Sequence, residues 1–253
     1  MREWLLAGLV TVGAVAGASC GDSSPTAPGN GGGSSTLTIV PATDFLTIGT
    51  AVTLQARLAE SGATPRVVSA EWSSDDGRVA AVDRQGRVSA LGSGTTTIRA
   101  TFEGQVATQS LRVTPDFGGT WNGPRRVLSC VHPTPTVCTT SYPNGSQFAT
   151  RLVLTQVKER VSGTLIFTPP SGPQTATLAG EISPTGQLSL VGTISTSGSG
   201  GSISLIGSVQ DWRTEIHAVQ GVLLGSFTEQ RLETNGTAWR VSWEVFGLAR
   251  TVP

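Results

Sequence analysis

Alternation is plainest along Val52–Leu58, where Val52, Leu54, Ala56 and Leu58 share one face and Thr53, Gln55 and Arg57 the other. A period of two predicts a strand with one buried side. Leu37–Pro41 precedes it as a first strand. Downstream, Val79–Val82, Val88–Leu91 and Thr95–Ala100 are short runs separated by Ser73–Gly77, Asp83–Gly86 and Gly92–Gly94, stretches rich in turn-forming residues. Val106–Thr114 closes the set. Short runs with β-branched content predict an antiparallel sandwich over residues 37–115, with Trp72 as its central core side chain. That range contains no cysteine, so packing alone must hold its sheets together.

After Asp116 the pattern resumes. An opening segment at Asp116–Gly123 is followed by candidate strands Phe148–Lys158, Val161–Pro169, Gln174–Ile182, Gln187–Ser195, Ser202–Asp211, Glu215–Thr228 (continuous or broken) and Thr237–Arg250. Short connections such as Ser183–Gly186 and Glu233–Gly236 suit consecutive hairpins. About eight strands in a meander predict a closed antiparallel β-barrel over residues 116–253, with a second sandwich as the alternative. The inward register runs through Leu178-x-Gly180-x-Ile182, Leu188-x-Leu190-x-Gly192-x-Ile194, Ile203-x-Leu205-x-Gly207-x-Val209 and Leu223-x-Gly225-x-Phe227. Inward glycines let a sheet bend sharply or leave room for a bulky neighbour. Trp239, Val241, Trp243 and Val245 alternate onto one face of the last strand and could supply that bulk. Trp121, Trp239 and Trp243 are therefore the candidate lining of a ligand pocket, although a core filled by the indoles is favoured.

The stretch from Trp72 resembles the core of a bacterial immunoglobulin-like domain of the second group. The residues that carry the likeness are Trp72, Ser73, Ser74, Val79, Ala80, Val82, Asp83, Gly86, Val88, Ala90, Gly94, Ile98 and Ala100. The resemblance implies a sandwich and an exported protein. Gly119-Thr120-Trp121 weakly resembles the opening of lipocalin- and avidin-like barrels; it supports barrel topology and transfers no ligand-binding residue.

Residues 1–20 read as a targeting segment: Arg2, an uncharged apolar run Trp4–Ala16, then Ala16-Gly17-Ala18-Ser19-Cys20. This resembles a lipoprotein signal, which implies that Cys20 becomes the lipidated first residue of the mature chain. Ordinary secretion with cleavage after Ala18 is the alternative. Gly21–Thr36 has no apolar side chain beyond alanine and proline, and so is expected to be a disordered tether. The expected location is the bacterial cell envelope, lipid-anchored at the outer membrane or cell surface.

Charged residues are 13% of the chain, and Lys+Arg equals Asp+Glu, 17 against 17. With no basic cluster, nucleic acid and anionic membrane surfaces are poor partners. Of the three cysteines, Cys130 and Cys138 stand close together around His132, Pro133 and Pro135. In an exported protein a disulfide is favoured there over a zinc site, whose common spacings this loop does not match. His217 with Asp211 and a serine could be drawn as a triad, but no spacing marks a nucleophile. Asp75, Asp76 and Asp83 could bind calcium, but they sit where turns want aspartate. Asn144-Gly145-Ser146 and Asn235-Gly236-Thr237 are read as turns and not as glycosylation sites.

These observations predict a binding or adhesion protein with no cofactor, metal or catalytic constellation. Its partner would be a protein, a glycan or a small hydrophobic ligand, besides the membrane reached through Cys20. A small-ligand-binding barrel is the alternative, and a secreted enzyme comes third.

Overall fold

The computed structural model describes residues 34–168, 172–195, 206–217, 221–233 and 235–251, with only the backbone along 206–217. Cys20 and nearly all of the expected tether lie outside these residues. Where the tether was expected to end, Ser35 and Thr36 already belong to the first strand.

The first domain has ten strands: β1 (Ser35–Val40), β2 (Phe45–Thr47), β3 (Ala51–Thr53), β4 (Gln55–Glu60), β5 (Arg66–Val68), β6 (Glu71–Ser74), β7 (Ala80–Val82), β8 (Arg87–Ala90), β9 (Gly94–Phe102) and β10 (Gln105–Thr114). They form one four-stranded sheet, β2-β10-β9-β6, and two three-stranded sheets, β1-β4-β5 and β3-β8-β7. The run expected to be one strand, Val52–Leu58, changes partner midway. β3 pairs with β8, whereas β4 pairs with β1. Leu54 sits at the change and donates its N–H to Gly86 O at 2.8 Å. Its side chain stays buried with Ala56 and Leu58, so the alternation survives the switch.

Trp72 is not the central core side chain. It is half-buried and packs against two separate clusters, one around Val88, Ile98 and Val113 and one around Leu37, Leu58 and Ala100. Small and β-branched residues hold the innermost positions; Ala80, Val88, Ile98, Ala100 and Val113 have no exposure. Beneath the indole lies Gly86 at φ 78°, where an added β-carbon would stand 2.4 Å from Leu54 O and 3.0 Å from the ring. Only glycine fits a left-handed turn pressed so closely. In the neighbouring turns, Asp83 Oδ1 accepts the N–H groups of Gln85 and Arg87, and Asp76 Oδ1 accepts that of Arg78. These aspartates serve their own backbone.

The second domain is built of β11 (Gly119–Val131), α1 (Pro135–Ser141), β12 (Gln147–Val157), β13 (Arg160–Phe167), β14 (Gln174–Ile182), β15 (Leu188–Ser195), β16 (Ile206–His217), β17 (Val222–Leu232) and β18 (Ala238–Thr251). Its eight strands pair in chain order, and β11 closes on β18. The boundary expected between Asp211 and Glu215 does not exist. β16 runs through it by a register shift between Gln210 and Arg213. Along β14 and β12 the inward set is apolar except for Gln174 and Thr150, while Thr175, Thr177, Glu181, Arg151 and Thr155 face outward. That is the inverse of a barrel that spans a bilayer.

Of the glycines read as inward, Gly180 and Gly192 make no room for the indoles, and Gly207 lies outside the residues whose side-chain surroundings are described. A β-carbon at Gly180 would meet Ser189 O at 1.8 Å, and one at Gly163 would meet Val153 O at 1.9 Å. They permit close backbone approach between paired strands.

Because the strands run up and down, the β12–β13 and β14–β15 turns gather at the barrel end where β11 begins. The first domain meets this near end. Arg112 donates to Ser183 O at 2.6 Å and Pro184 O at 3.1 Å, Lys158 pairs with Asp44, and Gln156 Nε2 donates to Thr114 Oγ1 at 3.2 Å. At the far end, Pro135 at the first helical position starts α1, the one helix among the described residues, inside a loop where the sequence announced none. A disulfide joins Cys130 at the end of β11 to Cys138 in α1. Closing so short a loop stabilises by about 2–3 kcal/mol. A denaturant titration under reductant is expected to lose that amount; an unchanged midpoint would show that the bridge contributes nothing.

Candidate functional site

An eight-stranded barrel encloses a space that side chains fill or that holds one small ligand. In the near half the filling is apolar: Phe117, Trp121, Leu154, Ile182, Leu188 and Leu248 are all buried. The far half differs. The alternation that buries Leu223 and Phe227 on β17 continues to Glu229 and Arg231. On β11 it passes from Trp121 to Arg125, on β12 to Thr150, and on β14 to Gln174. Arg125 and Glu229 have no exposure, and Arg231 has 3%.

Glu229 organises part of this cluster. It accepts the Trp243 Nε1–H at 2.9 Å and pairs with Arg231, whose guanidinium also donates to Gln174 Oε1 at 2.8 Å. Arg231 lies 4.9 Å from the Trp239 ring centroid and 5.9 Å from that of Tyr142. Arg125 is held differently, with its guanidinium carbon 3.7 Å from the Trp243 ring centroid and 4.0 Å from that of Phe167. None of its three nitrogens has a hydrogen-bond partner. Burial pushes its pKa down to about 10, with Glu229 opposing the shift and Arg231 adding to it. It is still protonated at neutral pH. Thr150 Oγ1, Arg231 Nε and Trp239 Nε1 are also buried without partners.

Two hollows border this half. One, of about 620 Å³, is lined by Val131, Arg231, Leu232 and Trp239 among others. The other, of about 520 Å³, includes Phe148, Thr150 and Phe167 in its wall. Of the three indoles read as candidate pocket lining, Trp239 stands at the border of the first hollow beside the outward-facing Gln230, Leu232 and Arg240. Trp243 is wholly buried with its N–H given to Glu229. Trp121 lies in the near half, with its N–H donated to Phe117 O at 2.9 Å and Arg250 4.7 Å from its ring. His132 accepts the Thr134 N–H at Nδ1, which leaves Nε2–H to face Glu233 Oε1 at 3.3 Å, and its ring stands edge-on to Trp239. His217 ends β16, and its side chain lies outside what is described. Among the described residues no group of three or more His, Cys, Asp or Glu is placed to hold a metal.

The first domain has a counterpart in a known family. Residues 35–113 match the bacterial Ig-like domain (group 2). The Ig-like domain thus spans β1 to nearly the end of β10, and the match leaves the barrel outside it. No curated protein matches the chain significantly. Among solved structures, one described as "Structure of the S-layer protein SbsC, domains 5-6" aligns over 84% of this chain and 97% of that one, at 13% identity and a TM-score of 0.29. A likeness at that score supports no inference.

Proposed function

We propose that this is an exported envelope protein in which the Ig-like domain carries a small-ligand-binding barrel whose binding half faces away from it. The observation that carries the reading is the cluster of partnerless buried polar atoms on Arg125, Thr150, Arg231 and Trp239 in the half that borders the two hollows; in the near half only Arg250 Nε is in the same position among the described residues. Buried polar groups in folded proteins are almost always hydrogen-bonded, and the exceptions gather where something else binds. This favours the ligand reading over adhesion. Native mass spectrometry of the full chain purified from its host is expected to find a small molecule that leaves on denaturation. A homogeneous, ligand-free protein whose melting no extract fraction raises would overturn it.

The Ig-like match and the disulfide support an extracytoplasmic setting. Anchoring rests on the sequence alone, through the isolated Cys20 between an apolar run and a Gly/Ser/Pro tether. Cys20→Ala is expected to move the protein from the membrane to the soluble fraction; continued sedimentation with membranes would refute lipid attachment at that residue.

A further inference from the structure

We infer that the barrel's ligand is a carboxylate on an apolar body and that the Arg125 guanidinium receives its acid group. The inference rests on the small-ligand reading above and adds the chemical class. Among the described buried residues of the barrel there are two guanidinium groups, Arg125 and Arg231, and one carboxylate, Glu229. Glu229 is committed to Arg231 and to the Trp243 indole, so the unbalanced positive charge belongs to Arg125. An isolated buried charge is too costly to keep without a counter-charge. One negative charge would balance it, whereas a doubly charged phosphate would reverse the imbalance.

Geometry narrows the class further. Trp243 and Phe167 hold the guanidinium from 3.7 and 4.0 Å. Its N–H groups point outward in the guanidinium plane, where a planar carboxylate accepts two of them side by side. Thr150 is the diagonal neighbour of Arg125 across the β11–β12 ladder, because Gly123 pairs with Thr150 and Arg125 with Phe148. Its partnerless hydroxyl is therefore placed to bond the same acid group. The hollow of about 520 Å³ beside Thr150 has Phe148 and Phe167 in its wall together with the outward-facing Asn122, Ala149 and Arg151, and the two aromatic residues suit an apolar body that runs from the buried Arg125 toward the barrel surface.

The test compares acids with neutral isosteres on the full-length protein: dodecanoate against dodecanol, and 2-naphthoate against 2-naphthol, followed by calorimetry and tryptophan fluorescence. At least one acid is expected to bind tenfold or more tightly than its alcohol, and Arg125→Met is expected to erase that preference while leaving the weak alcohol affinity. The variant removes an unpaired buried charge, so its melting temperature without ligand should be no lower than that of the wild type. Equal binding of acid and alcohol, or an acid preference that survives Arg125→Met, would overturn the inference and leave the ligand reading standing. No binding of any probe would also overturn it, and the fate of the ligand reading would then be decided by the native mass spectrum.

Discussion

Replacing Glu229 by glutamine is expected to cost the barrel about 3–5 kcal/mol, the range for removing one partner of a buried ion pair. Shape is nearly conserved, and the new amide can still accept the Trp243 N–H, so the loss reports charge. Arg231 would keep Gln174 as a hydrogen-bond partner but lose its counter-ion, and Arg125 would lose the carboxylate that now moderates its burial. Two guanidinium groups would then repel each other in a site with no described anion. Adding Arg125→Met to Glu229→Gln should restore part of the loss, since one of the two repelling charges is gone. A urea titration of the four proteins measures the coupling. If Glu229→Gln unfolds at the wild-type midpoint, the carboxylate is not what holds the pair.

Gly180→Ala is expected to destabilise by about 3 kcal/mol or more, at the upper end for adding one methyl group to a packed interior. The obstacle is backbone: the added carbon would stand 1.8 Å from Ser189 O and 2.9 Å from the Leu190 α-carbon. Side chains can rotate away, but a paired strand can only separate. Gly77→Ala serves as the control, because a β-carbon there meets nothing within 4 Å. Similar melting of the two variants would mean that β14 and β15 are not so closely apposed.

The strands were legible because period-two burial writes itself into residue type. Leu178, Ile182, Leu188, Leu190, Ile194 and Phe227 were all read as inward, and all are buried. What stayed hidden was hidden for physical reasons. β2 and β5 are three residues long, too short to show a period. The bulge in β16 breaks the alternation, so one strand looked like two. α1 is held by a proline start and a disulfide, with no buried residue to mark an apolar stripe. The site was missed because the alternation was followed only while it stayed apolar. Carried on, the register of Leu223 and Phe227 leads to Glu229 and Arg231, and that of Trp121 leads to Arg125. A charged residue in step with a buried face is the signal that would have found them.

The seam between β11 and β18 has a consequence for how the chain reaches its native state. Every other pairing in the barrel joins consecutive strands, so those hairpins can form as the chain emerges. The seam alone joins the first strand to the last, with Thr120 opposite Thr251 and Val131 opposite Arg240. Until β18 arrives, β11 and β17 both present open ladders, and an open ladder will accept any extended strand, including one from another copy. Closure over so long a separation is slow, because the loop entropy must be spent before the contacts form. Expression yield should therefore depend on the fourteen residues of β18 more than on any internal hairpin, and a chain cut before Ala238 should collect in inclusion bodies.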